Sequence, residues 1–123
     1  MAKYERQLRG DFDSLLRTLD KEILGRSISA SFQGGSDFRT GNVRCAVRVY
    51  ERYSAMGGNR LAANITLLGD GENLFLSVIS SGGSQAMFFK INTFGEEAMN
   101  NKIIRIVKQW EAMKNTEIKK KEI

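Results

Sequence analysis

Hydrophobic and polar positions change period along this chain, and each change outlines an element. Tyr4 and Leu8 fall on one side of an alternating stretch, which predicts a first strand over Lys3–Arg9. Asp11 stands where a helix needs its N-cap, because its carboxylate can accept from the free amides of the first turn. Phe12, Leu15, Leu16, Leu19 and Ile23 then recur at helical spacing, and Gly25 suits the residue just past a helix end. The spacing predicts a helix over residues 12–24. From Arg26 alternation returns, with Ile28, Ala30 and Phe32 set against Ser27, Ser29 and Ser31 until Gly34-Gly35-Ser36 breaks the run.

Val43, Cys45, Val47 and Val49 next alternate with Arg44, Ala46, Arg48 and Tyr50. Helical spacing competes here through Val43, Ala46, Val47 and Tyr50, but the valines and flanking glycines favour a strand. Gly57-Gly58-Asn59 leads into Leu61, Ala63, Ile65 and Leu67, and Gly69-Asp70-Gly71 marks a turn. Leu74–Ser80 reads as a strand, and Gly82-Gly83-Ser84 turns it into Gln85–Ile91. Such short linkages predict sequential antiparallel hairpins.

Thr93-Phe94-Gly95-Glu96 has the form of a capping box. Behind it, Met99, Ile103, Ile106, Val107, Trp110 and Met113 make an apolar stripe, with Lys102, Arg105, Lys108 and Glu111 largely outside it. The expected fold is therefore α+β: a single antiparallel sheet in β-α-β5-α order, packed on a long C-terminal amphipathic helix over 94–113. One domain is expected over residues 1–113, with 114–123 a charged, frayed tail.

This element order resembles a reduced helix-grip fold, the arrangement of the START and Bet v 1-like superfamily. That resemblance implies a curved sheet wrapped on the last helix, with an apolar cavity between them. A second resemblance is local. Gly57-Gly58-Asn59-Arg60 and the stretch from Gly82 to Glu97 are similar to an uncharacterised bacterial domain family of unknown function, which implies no activity and no catalytic residues.

Composition narrows the chemistry. The 123 residues include no His and one Cys, so the groups most used for catalysis near neutral pH are nearly absent. Cys45 has no disulfide partner and no His to activate it, and reads as a small buried apolar residue. No metal-ligand set and no cofactor motif occurs. The start of the chain lacks the apolar stretch of a secretory signal, and no run approaches the ~20 apolar residues of a membrane span. A cytoplasmic domain is expected.

The formal charge is +5, of which the tail from Lys114 supplies +2 through four Lys and two Glu. Arg39, Arg44, Arg48, Arg52 and Arg60 cluster in sequence, and Arg44, Arg48 and Arg52 share one face of a strand with Tyr50. Arginine fits phosphate and carboxylate and tyrosine stacks on bases, so this is a candidate anion surface; the plainer reading is a solvated outer face. Three Gly-Gly pairs can expose amides to an anion, but hairpin turns demand the same residues.

Val43, Cys45, Val47 and Val49 are expected to face the core. Glu51 would join them, either in an apolar cavity that raises its pKa or beyond the core rim. A ligand cavity would be lined by Val47, Val49, Glu51, Ile65, Leu67, Val78 and Trp110. The last strands are apolar on both faces, so one helix layer cannot cover them. The reading that follows is a non-enzymatic domain binding a small apolar or amphipathic ligand, or a protein partner, through the sheet–helix region. It is expected to be a homodimer. The alternative is a basic module binding nucleic acid or another polyanion through the Arg39–Arg60 cluster.

Overall fold

The computed structural model describes residues 1–25, 29–54, 59–82 and 89–122. Its elements are β1 (Ala2–Arg9), α1 (Phe12–Gly25), β2 (Ala30–Thr40), β3 (Val43–Ser54), β4 (Asn59–Asp70), β5 (Asn73–Gly82) and α2 (Phe89–Glu122). The protein is α+β, with one open five-stranded antiparallel sheet in the order β1-β5-β4-β3-β2 and two helices. β2 to β5 are consecutive hairpins, as the short linkages predict, and β1 returns to pair with β5. Gly41 (φ 58°) and Gly71 (φ 59°) each open a two-residue loop, where positive φ matches the twist of the strands they join.

The first helix follows its sequence signal closely. Asp11 Oδ2 accepts from the Ser14 amide at 2.8 Å, the cap its position predicts. Phe12, Leu15, Leu19 and Ile23 are buried along one face. α1 and α2 pack on the same side of the sheet and touch each other there. Leu15, Leu19, Ile103 and Val107 meet Leu61, Ile65, Leu67, Leu76 and Val78 in one continuous core. Trp110 closes one end of it, donating its indole N–H to Ser14 Oγ at 3.1 Å.

Three expectations need correction. First, the run from Gln85 to Ile91 is not a strand where it is described: α2 already includes Phe89–Ile91, and 85–88 lie outside the described residues. A short apolar run fits both periods, so alternation could not separate them. Thr93 to Glu96 consequently lie inside α2 rather than at its cap, and α2 runs on to Glu122. The order is thus β-α-β4-α.

Second, Gly34-Gly35-Ser36 does not end a strand. β2 runs through it with a bulge between Phe32 and Gly34. An edge strand has a partner on one side only and absorbs this irregularity at little cost.

Third, β3 is turned over. Arg44, Ala46, Arg48, Tyr50 and Arg52 face the helices, while Val43, Cys45, Val47, Val49 and Glu51 face away. Tyr50 decides the matter. It is 1% exposed, and its ring is a larger apolar payload than any of the valines. Ala46, on the same face two rows away, is fully buried and leaves room for the helices to approach.

Candidate functional site

On the helix side of β3 the arginines are held by carboxylates. Arg44 forms a two-pronged bond to Asp13 of α1, both contacts at 2.9 Å, and its guanidinium lies 4.1 Å from the centre of the Phe12 ring. That bond raises the Arg44 pKa and lowers that of the Asp13 carboxyl. Arg48 donates to both oxygens of Asp37 on β2, at 3.0 and 3.1 Å, and to the Val47 carbonyl at 2.9 Å. Its side chain crosses Gly35, where a Cβ would come within 2.9 Å of it. Arg52 is half-buried on the same side. Arg60 pairs with Glu51 at 3.3 Å. The arginines proposed as one anion surface are therefore divided, and Arg44 and Arg48 already have bidentate partners.

Arg48 also borders a groove of about 440 Å3 between α1 and β2, lined by Leu16, Arg17, Asp20, Leu24 and Phe32. Next to it, Tyr50 donates its hydroxyl to Asp20 Oδ1 at 2.7 Å. Burial and that bond push the Tyr50 pKa far above its ordinary value, so the phenol stays protonated. It is a structural donor. Among the described residues no group of His, Cys, Asp or Glu is placed to hold a metal ion.

The residues expected to line a ligand cavity are separated by the sheet itself. Ile65, Leu67, Val78 and Trp110 are in the helix-side core. Val47, Val49 and Glu51 are on the opposite face, half-buried among their neighbours. Cys45, expected inside, is on that outer face too and is only partly covered.

This outer face carries an apolar row that sequence reasoning did not assemble. Phe38, Cys45, Leu68 and Phe75 sit side by side on four adjacent strands, from β2 to β5. Val43, Val47 and Val49 extend the patch along β3, and Ile79 adds to it on β5. Phe38 is 66% exposed, Leu68 41% and Ile79 37%. Phe38 received no role from the sequence because the strand was expected to stop at Gly34-Gly35-Ser36, and unbroken alternation would put it on the same face as Phe32. The bulge after Phe32 shifts the alternation by one and delivers Phe38 to the outer face. Among the described residues no element packs against this face.

Residues 1–111 match the model of DUF6054, a family of unknown function. The chain belongs to that family. The match covers the whole sheet and most of α2, so the outer face and the core described above fall within the DUF6054 region. No curated protein and no solved structure matches the chain. Among the described residues no helix is long and apolar enough to cross a membrane.

Proposed function

We propose that this DUF6054 protein is a non-enzymatic interaction domain that binds a protein partner on the outer face of its sheet. One observation carries the reading: an apolar row across four strands, headed by a 66% exposed phenylalanine, stands open to solvent. Patches of this kind are uncommon on monomers unless they are used. The opposite face already has its helices, so the outer face is not needed to complete the core. The lone, partly covered Cys45 agrees with a cytoplasmic setting, where thiols stay reduced.

The small-ligand version of a helix-grip reading has less support. Ile65, Leu67 and Val78 are at most 1% exposed and are packed against Ile103 and Val107. The polyanion alternative also weakens, because Arg44 and Arg48 spend their donors on Asp13 and Asp37.

Site-specific photocrosslinking in living cells tests the proposal. A benzophenone side chain replaces Phe38, and in a control replaces Asn101, which is exposed on α2. Covalent protein adducts are expected from position 38 and not from 101. Equal yields at the two positions, or none at 38, would contradict it.

A further inference from the structure

Strand pairing arranges the outer-face side chains in rows that run across the sheet. Thr40, Val43, Asp70, Asn73 and Arg9 form the row beside the two hairpin loops. Phe38, Cys45, Leu68, Phe75 and Gln7 form the second row. Ser36, Val47, Thr66, Ser77 and Glu5 form the third. The second row is apolar on four strands and carries no charge on the fifth.

A two-fold axis along the second row would lay each of its residues on its own counterpart in another copy. The same operation exchanges the first and third rows. Val43 then meets Val47 of the second copy, Asp70 meets Thr66, Asn73 meets Ser77, and Arg9 meets Glu5, each contact occurring twice. An apolar residue meets an apolar one, a carboxylate meets a hydroxyl, and opposite charges meet. Moving the axis to the third row would set Glu5 against Glu5. Moving it one row further would set Lys3 against Lys3, since Lys3 ends the next row opposite Ile79. Charge therefore selects one register.

Building on the role proposed above for this face, we infer that its partner is a second copy of this chain. The two copies dock sheet to sheet about the Phe38–Phe75 row, with reciprocal Glu5–Arg9 ion pairs. Packed sheets lie ~10 Å apart, a gap that facing Glu and Arg side chains can bridge. Both groups are held only by exposed contacts that an ion pair can replace: Glu5 meets Lys3 at 3.7 Å and accepts from Ser77 Oγ at 3.2 Å, and Arg9 meets Glu72 at 3.7 Å.

The overlap sets the strength. Three rows across the five strands cover about 25 by 20 Å, or roughly 500 Å2 on each copy. The total of ~1,000 Å2 is at the small end of specific interfaces, the class of transient encounters, so the dimer is expected to exchange with monomer on dilution.

Sedimentation equilibrium on the purified full chain tests this. The mass is expected to climb from 13.8 kDa towards twice that value as concentration rises through the micromolar range. Phe38→Glu should hold the mass at the monomer value. Glu5→Arg and Arg9→Glu should each weaken association by about tenfold, and the two together should restore it to near wild type. A monomer at every concentration would overturn the inference, and so would a dimer whose two charge reversals add without rescue. If the chain is monomeric while Phe38 crosslinks to a different protein, the second-copy inference falls and the role of the face stands. If it is monomeric and Phe38 does not crosslink, both fall.

Discussion

Tyr50 and Ile65 sit in neighbouring rows of the same buried surface, yet they stabilise the fold by different means. Tyr50→Phe keeps the ring and removes the hydroxyl that bonds Asp20, and should cost about 1 kcal/mol in a urea titration. The pH dependence follows from the raised phenol pKa. A group held protonated in the fold contributes stability that is complete below its unfolded pKa of about 10 and is lost as pH rises through the folded value. Wild type should therefore lose stability more steeply above pH ~10 than Tyr50→Phe does. Equal slopes would remove Tyr50 from the account. Ile65→Ala opens a cavity against α2 and should cost about 2–4 kcal/mol. By contrast, Phe38→Glu on the outer face should change the stability of the monomer by less than about 0.5 kcal/mol.

At the scale of elements, what the sequence made legible depended on how local each signal was. α1 carries its cap at Asp11, its buried face from Phe12 to Ile23 and its stop at Gly25 within one short stretch. The β4–β5 hairpin is announced by Gly69-Asp70-Gly71, whereas β2 and β3 turn at Gly41 and not at the Gly34-Gly35-Ser36 run that the sequence marks more strongly. Which face of β3 turns inward is not local. Val43-Cys45-Val47-Val49 and Ala46-Tyr50 are both plausible core faces, and a period of two cannot say which one meets the helices. The decision rests with Tyr50 fitting over α1 and with Asp13 and Asp37 being placed to receive Arg44 and Arg48. The start of α2 was hidden for a similar reason, since Phe89 and Ile91 suit either element. The outer-face row was the least legible feature. It needs four strands in register and a bulge that no residue between Phe32 and Gly34 announces.

For the whole molecule, the sheet has one face closed by two helices, and among the described residues nothing packs on the other. The expectation that one helix layer cannot cover two apolar faces agrees with this arrangement. Among the described residues of the outer face, Phe38, Leu68 and Ile79 are the large apolar side chains left most exposed. Cys45 offers a direct view of the face, because it is the one cysteine of the chain and sits in the middle of the apolar row. The most direct measurement is the rate of Cys45 alkylation by a thiol reagent as the concentration of the chain is raised. If the row is buried between two copies, the rate falls several-fold across the micromolar range in wild type and stays constant in Phe38→Glu. A wild-type rate that does not change with concentration would contradict the account.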